Sequence, residues 1–264
     1  MQAPIQTAIS QMFADRILIR GYDLPRLIGN CSFGEVVYLL LMGELPPGRE
    51  GALLEAILVA CVEHSLNAPS THTARAVANC GVPLQTAVAA GVSAIGDHHG
   101  GAGEACARIL QEAVQNQPDS PPDQLAAQIV TEFRQANRRL PGFGHRFHDP
   151  DPRAERLLAL ADEWNISGVH VTLAQAIVLR LSEATGRSLP LNVDGALAAL
   201  MSDMGFDWRL GKALFILGRI AGMVAHVHEE ALADRPFQFA AKVEIDYIGP
   251  AERSLPPGYV EKES

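Results

Sequence analysis

We predict an all-α fold for this chain of 264 residues. Nearly every periodic segment repeats its apolar residues at the 3.6-residue period of an α-helix, and almost none alternates with the period of two that strands show. Hydrophobic residues make up 48% of the sequence, which is enough to bury a substantial core. The only strand candidate is the segment 237–247, FQFAAKVEIDY.

The first clear helix is predicted at residues 33–42. Ser32 stands at the expected N-cap, and Glu35 three positions later completes the pattern of a capping box. Gly43 follows the last periodic residue, and two prolines lie shortly beyond it, which is typical of a helix end.

The next two predicted helices, 51–66 and 84–95, are apolar on most of their faces. Such helices are buried inside a bundle, and the Ala, Gly and Ser residues of 84–95 favour close helix packing. The stretch 117–122 is the most linker-like part of the chain. Further helices are predicted at 102–115, 122–138, 152–164, 170–185, 195–204 and 208–230.

Composition excludes several classes of partner. A net charge of -9 argues against nucleic acid or an anionic membrane surface, so an anionic ligand must be bound by local arginines. No signal-peptide pattern and no apolar run near the ~18 residues of a membrane span are visible, so we expect a cytoplasmic protein. The cysteines have no CxxC spacing and are expected to be buried free thiols. They are Cys31, Cys61, Cys80 and Cys106.

The segment 141–153, PGFGHRFHDPDPR, is the most informative stretch of the sequence. His145 lies in a Gly/Pro-rich turn and Arg153 follows on the same connection, which places a proton carrier near a carboxylate-binding group. That combination suits a polyanionic substrate. Taken alone, the segment is only a turn that contains a histidine.

Two further motifs, His99-Gly-Gly-Ala and Asn-Val-Asp194-Gly, supply the other groups needed for carbon–carbon bond chemistry beside a thioester. Asp194 would act at the α-carbon, a neutral His99 would donate to the enolate oxygen, and His145 would carry the proton of the electrophile's oxygen. Because a thioester α-proton is a dozen or more pKa units weaker than a carboxylic acid, at roughly 1.36 kcal/mol each, enolate stabilisation is required. Simpler interpretations exist: Asp194 could cap the following helix, and His99 could belong to a metal site or a solvated loop.

In order and spacing, the three motifs resemble the active site of the citrate synthase superfamily. Residues 20–24 and 33–46 are also similar to the family's RGYxxxxL…FEEVxYLLLxGxLP run. The resemblance covers nearly the whole chain. It implies a large helical domain from 1–101 and 191–264, a smaller mobile helical subdomain from 102–190, and a homodimer or higher homo-oligomer.

The resemblance also implies the substrate-binding residues. His64, in EHSLNA, matches the family's DHELNAS element, whose histidine binds a carboxylate and an oxygen of citrate, although a core histidine at a helix end is the simpler interpretation. Arg153, Arg219 and Arg235 fall where the family places citrate-binding arginines, and Arg235 would reach the neighbouring subunit's site. Three guanidinium groups match three carboxylates.

The chain departs from the family pattern at two places. Gly103 replaces the usual Asn of HGGANE, and the chain between His145 and Arg153 is one residue shorter and lacks a usual basic residue. The resemblance therefore leaves the coenzyme A phosphate site unidentified. The adenine is expected at the backbone of Pro141, Gly142, Phe143 and Gly144.

The compact length, without the long N-terminal region of citrate synthases, and the pattern IGDxxGGA look more like citryl-CoA lyases and the C-terminal lyase module of ATP-citrate lyase. The resemblance thus implies cleavage of citryl-CoA to acetyl-CoA and oxaloacetate, with no metal and no cofactor besides the coenzyme A thioester substrate. The alternatives are a citrate or 2-methylcitrate synthase, and a non-catalytic coenzyme A- or citrate-binding subunit of a larger complex. The intact set of His99, His145 and Asp194 argues against the last.

Overall fold

The computed structural model describes residues 5–144, 150–233, 248–249 and 253. These residues contain eleven α-helices and one small antiparallel sheet, so the all-α prediction is confirmed in its main feature. The helices are α1 (Leu24–Leu27), α2 (Phe33–Met42), α3 (Glu50–Cys61), α4 (Pro69–Ala78), α5 (Leu84–Ser93), α6 (Ala102–Asn116), α7 (Pro122–Gln135), α8 (Pro152–Glu163), α9 (Val169–Thr185), α10 (Val193–Asp203) and α11 (Gly211–Leu232).

The sheet at the N-terminal end corrects the expectation of a single strand candidate. It consists of β1 (Ser10–Met12), β2 (Ile17–Ile19) and β3 (Tyr22–Asp23), paired in that order. These strands have two or three residues each, too few for a period of two to be visible in the sequence. The predicted strand 237–247 lies outside the described residues.

Arg20 joins this sheet to the helices. Its guanidinium Nε and Nη2 donate to the Leu40 carbonyl at 3.2 and 2.8 Å, near the C-terminal end of α2. A cation at this end of a helix satisfies carbonyls that have no intrahelical partner. The Arg-Gly-Tyr motif therefore has a structural role in the described part of the chain.

Helix α2 has the predicted bounds and the predicted capping box. Ser32 Oγ accepts from the Glu35 N–H at 3.2 Å, and a Glu35 carboxylate oxygen accepts from the Ser32 N–H at 2.7 Å. Gly43 ends the helix in the left-handed conformation, at φ 92°. In contrast, α3 ends at Cys61 rather than at residue 66, and the four-residue α1 and helix α4 were not predicted. The sequence of α4, PSTHTARAVA, has no continuous apolar stripe that would mark a helix.

The described residues form two apolar cores of different size. The large one is built mainly from α2, α3 and α6 to α10, and α10 lies at its centre with nine of its eleven residues buried. The small one joins α4, α5 and α11 through only four buried side chains. Gly91 permits the close packing predicted for α5, since an added Cβ would lie 2.8 Å from the Ser70 carbonyl oxygen. The buried side chains of the small core are Ala74, Ala87, Met223 and Val227.

Helix α11 and the 3₁₀ turn before it (Trp208–Leu210) form one segment, Trp208–Leu232, that is long and apolar enough to cross a bilayer. Core helices of soluble proteins meet the same criterion. This segment packs on α3, α4 and α5 and contains the buried Arg219, so we interpret it as a core helix.

All four cysteines are free, as expected. Cys61 and Cys106 are buried, and burial raises the pKa of each thiol to about 12. Cys80 is exposed and Cys31 is partly exposed, so the expectation of burial is wrong for Cys80.

Candidate active site

The predicted motifs meet at the N-terminal end of α10. The Gly142 carbonyl accepts from the Asn192 N–H at 3.1 Å, and the Asn192 side-chain amide donates to the Gly144 carbonyl at 2.7 Å. Gly144 N–H in turn donates to the Pro190 carbonyl at 2.7 Å. The 141–144 turn is therefore fixed against the start of α10. His145 follows this turn directly, but it lies outside the described residues.

Glycines allow this close approach. A Cβ on Gly195 would lie 2.2 Å from the Gly142 carbonyl oxygen, closer than any real contact. On the other side, a Cβ on Gly103 in the first turn of α6 would lie 3.5 Å from the Asp194 carbonyl oxygen. The helix that follows His99-Gly-Gly-Ala thus packs on the Asp194 motif. Gly103, where the family pattern has Asn, stands directly beside the predicted catalytic carboxylate.

Asp194 does not cap α10. Asn192 is the N-cap, and its side-chain oxygen accepts from the Asp194 and Gly195 N–H groups at 3.0 and 3.1 Å. The simpler interpretation of Asp194 is therefore wrong. Burial raises the pKa of the Asp194 carboxyl, opposed by the charge of Arg153 and that of Arg219. Asp194 consequently holds a proton to higher pH than an exposed aspartate does.

His99 is held by Ser70, which is fully buried at the second position of α4. The Ser70 N–H donates to His99 Nε2 at 3.3 Å, and the Ser70 hydroxyl lies 2.9 Å from the same nitrogen. Because a backbone N–H can only donate, Nε2 must be the acceptor, and the neutral ring carries its hydrogen on Nδ1. Burial, followed by the charge of Arg219, lowers the pKa of His99. The imidazole is therefore a neutral donor through Nδ1.

Sequence reasoning missed Ser70. A signal was present in Pro69, since proline is favoured at the first position of a helix, where the following N–H groups have no intrahelical partners. One of these unpaired donors is the Ser70 N–H that binds His99. The positive end of the α4 dipole at this point also disfavours a protonated imidazole.

Arg219 is buried in α11, with 2% of its surface exposed. Its Nε donates to the Cys61 carbonyl at 2.9 Å, and its guanidinium lies 4.8 Å from the centre of the Phe215 ring. The edge of Phe215 in turn meets the His99 ring, with centroids 5.6 Å apart. Arg219 Nη1 is buried and has no hydrogen-bond partner among the described residues. A buried guanidinium with an unused donor is suited to a carboxylate ligand.

Arg153 is paired with Asp151, a residue that sequence reasoning did not select. Arg153 Nε and Nη2 donate to the two carboxylate oxygens of Asp151 at 3.0 and 2.9 Å. Asp151 caps α8 and also accepts from the Val193 N–H of α10 at 3.0 Å. Burial by itself raises the pKa of Asp151, but Arg153 and the N–H donors lower it overall. The N–H groups of Nη1 and the second N–H of Nη2 are not used in this pairing, so the predicted substrate role of Arg153 would rest on them.

His64 lies in the connection between α3 and α4, three residues after Cys61. Its N–H donates to Glu63 Oε1 at 2.9 Å. Arg219 binds the carbonyl of Cys61, three residues before His64, where α3 ends and this connection starts. Arg235 lies outside the described residues.

Together these groups form a site with a protonatable buried carboxyl, a neutral imidazole donor and a buried guanidinium. The charge of Arg219 acts on both groups, since it adds to the lowering of the His99 pKa and opposes the rise of the Asp194 pKa. Such a set can stabilise negative charge on an oxygen while a proton is exchanged at a neighbouring carbon.

The chain is similar to several known proteins. Residues 47–239 match the family "Citrate synthase, C-terminal domain". A solved citryl-CoA lyase from Hydrogenobacter thermophilus is 41% identical and has a TM-score of 0.87, covering 96% of this chain and 97% of that one. ATP citrate lyase from Methanothrix soehngenii, solved with citrate and coenzyme A, has a TM-score of 0.83 over 96% of this chain and 43% of that one. Its 23% identity shows the fold alone.

Among curated relatives, the glyoxysomal citrate synthase of Cucurbita maxima is 32% identical over 228 residues, or 80% of this chain. The chain spans 42% of the length of that relative and 60% of another.

Proposed function

We propose citryl-CoA lyase activity for this chain, which belongs to the citrate synthase family. The observation that carries the proposal is the 41% identity to a citryl-CoA lyase over nearly the full length of both chains. The reaction breaks one carbon–carbon bond of citryl-CoA and yields acetyl-CoA and oxaloacetate. It needs no further co-reactant, because the hydroxyl proton lost at one end is balanced by a proton gained at the other.

In the proposed mechanism, His145 accepts the proton of the tertiary hydroxyl as the carbon–carbon bond breaks. The bonding electrons move to the thioester, and the enolate oxygen accepts a hydrogen bond from Nδ1–H of His99. Protonated Asp194 then donates to the terminal carbon, which becomes the methyl group of acetyl-CoA. The raised pKa of Asp194 supports its role as the proton donor in this mechanism, and the tautomer imposed by Ser70 on His99 supports the role of His99 as the hydrogen-bond donor to the enolate.

For substrate binding, we propose that Arg219 and His64 bind the carboxylates of the citryl group, together with Arg153. The unused Nη1 of Arg219 supports this assignment, since a substrate carboxylate would satisfy it. The adenine of coenzyme A would lie at the backbone of residues 141–144, where Gly142 and Gly144 have φ of 87° and 72°.

We also propose that two copies of the chain associate through α4, α5 and α11. Helix α5 is apolar, yet only Ala87 and Gly91 of its ten residues are buried. Only 39% of the apolar window of Trp208–Leu232 is buried, and Val224 of α11 is 37% exposed. An apolar helical layer left this open is typical of a subunit interface. Arg235 would then complete the partner's site.

Mixing two inactive variants tests the shared site. Arg235→Ala and Asp194→Asn subunits should regain activity when combined, since one site of each heterodimer then has both intact groups. Light scattering should give at least a dimer. A fully active monomer would contradict this part of the proposal.

The reaction is tested by comparing two rates at saturating substrate in one buffer. Mass spectrometry should show rapid cleavage of citryl-CoA, and only slow release of citrate from acetyl-CoA and oxaloacetate. The 32% identity to a citrate synthase makes synthesis the second candidate. Citrate release as fast as cleavage would establish the synthase instead. Binding of citrate or coenzyme A without either reaction would support a non-catalytic subunit.

A further inference from the structure

We propose that Glu63 and His226 form a positioning pair that sets the location of His64 in the substrate site. The inference rests on the proposed function, in which His64 binds a carboxylate of the substrate. Glu63 and His226 themselves would not touch the substrate.

A continuous set of contacts joins α11 to the backbone of His64. His226 Nε2 lies 3.1 Å from Glu63 Oε2, and the other carboxylate oxygen, Oε1, accepts from the His64 N–H at 2.9 Å. The imidazole therefore holds one oxygen of Glu63 while the other oxygen holds His64. A shift of the Glu63 carboxylate would move the His64 backbone with it.

One face of α11 packs along the end of α3 and the α3–α4 connection. Arg219 donates to the Cys61 carbonyl at 2.9 Å. Three residues later, Gly222 leaves room for the connection, since an added Cβ would lie 2.1 Å from the Val62 carbonyl oxygen and 2.6 Å from Glu63 Oε2. His226 lies on the same face of the helix, one turn further. Successive turns of α11 thus contact successive residues of the connection.

Burial makes the contact of His226 with Glu63 important. Glu63 Oε2 and His226 Nδ1 are both buried and have no hydrogen-bond partner among the described residues. The His226 Nε2 atom, 3.1 Å away, is the polar group in contact with this oxygen, and its removal would leave a buried carboxylate oxygen without that contact. The carboxylate would turn toward water and release the His64 N–H.

A second set of charges joins α4 to the same end of α11. Glu229 Oε2 lies 3.7 Å from His226 Nδ1 and 2.8 Å from Arg75 Nη1 of α4. Arg75 also pairs with Glu230. Ser70, which holds His99, lies in the first turn of α4. The C-terminal part of α11 therefore contacts both the connection that contains His64, through Glu63, and the helix that follows it, through Arg75.

The first test is the kinetics of citryl-CoA cleavage by His226→Ala. Loss of a supporting contact of a binding residue should raise KM about tenfold and change kcat less than about threefold. His226→Gln can still present an N–H to Glu63 and should restore most of the lost affinity. His228→Ala is the matched control, because His228 is an exposed histidine on the same helix. An unchanged KM in His226→Ala would overturn the proposal.

A double substitution separates positioning from general loss of structure. In a His64→Ala background, adding His226→Ala should have little further effect on KM, since the group being positioned is already missing. A full additional tenfold effect would show that His226 acts elsewhere and would overturn the proposal.

Hydrogen exchange tests the pair without substrate. The backbone amides of the 62–67 segment should exchange faster in His226→Ala than in the wild type or His228→Ala. Unchanged exchange in this segment would refute the positioning pair even if the enzyme is active. Failure of the wild type to cleave citryl-CoA would refute the proposed function alone, because the exchange measurement does not depend on it.

Discussion

Asp194 and His99 belong to two regions that are built differently. Asp194 lies in the first turn of the central helix of the large core, where nine of eleven residues are buried, and the Asn192 cap and the Gly142 turn fix its surroundings. His99 belongs to the region of α4, α5 and α11, whose small core has only four buried side chains. Its ring is held by polar contacts with Ser70 and by the edge of Phe215.

Both regions neutralise their titratable group by burial, with opposite effects on the pKa. Burial raises the pKa of Asp194 and lowers the pKa of His99, so that each favours its uncharged form. The Asp194 region achieves this with the core of a single chain. The His99 region has an open apolar face, and it is there that we expect a second copy to bind. The following experiments test this contrast.

The largest effect is expected from Asp194→Asn. Asparagine keeps the shape but cannot transfer the proton, so turnover should fall about 10²-fold or more. Stability should not fall, because Asn192 and not Asp194 caps the helix. Cleavage assays and thermal melts measure the two effects, and turnover within threefold of the wild type would contradict the assignment.

The size of the stability change in Asp194→Asn should depend on pH. Since the folded pKa of Asp194 is raised, its contribution to stability is complete below the unfolded value and is lost as pH rises through the folded pKa. Asparagine does not titrate, so the Asn variant does not lose this contribution to stability as pH rises. Its melting temperature should therefore exceed that of the wild type at neutral pH, and the difference should shrink under acidic conditions.

The pH profile of citryl-CoA cleavage should also show the titration of Asp194. Because Asp194 must be protonated to donate, kcat should fall about tenfold per pH unit above its pKa in the enzyme–substrate complex. This limb should be absent from the residual activity of Asp194→Asn. Its persistence in the variant would assign it to another group.

Gly195→Ala compared with Gly91→Ala tests the rigidity of the two regions. A Cβ at residue 195 would lie 2.2 Å from a backbone oxygen of the 141–144 turn. At residue 91 the nearest atom is the flexible Met223 sulfur at 2.6 Å, and the nearest backbone atom, the Ser70 carbonyl oxygen, lies farther away at 2.8 Å. Overpacking costs about 1–3 kcal/mol, and Gly195→Ala should reach the upper part of that range because backbone cannot rotate away. Equal losses of unfolding free energy for the two variants in denaturant titrations would show that the two regions do not differ in rigidity.

The smallest effect is expected from Ser70→Ala. The variant loses the hydroxyl 2.9 Å from His99 Nε2 but keeps the backbone N–H that determines the tautomer. Turnover should fall only about threefold, the order of one modest hydrogen bond, and Ser70→Thr should restore it. A loss as large as that of Asp194→Asn would show that the hydroxyl, and not the N–H, orients the imidazole.

Local sequence patterns predicted most of the helices because the caps, stops and apolar periods that mark a helix lie in or next to the helix itself. The capping box of Ser32 and Glu35, the Gly43 stop and the apolar periods predicted α2 and most of the later helices within a few residues. The missed elements lacked such signals. Helix α4 has no apolar stripe, and the strands β1 to β3 are too short to alternate visibly.

The sequence alone determined the helical fold class, the three motifs and their resemblance to one family. Motif order and spacing are properties of the sequence itself and need no knowledge of the packing. Only the tertiary structure decided which other residues contact and orient the side chains of these motifs. Ser70 orients a histidine 29 residues away, and Asp151, which pairs with Arg153, also accepts from the Val193 N–H, 42 residues away from it. Such contacts depend on how helices pack, and neither local propensity nor spacing determines that packing. The shifted pKa values have the same origin, because burial exists only once the cores are assembled.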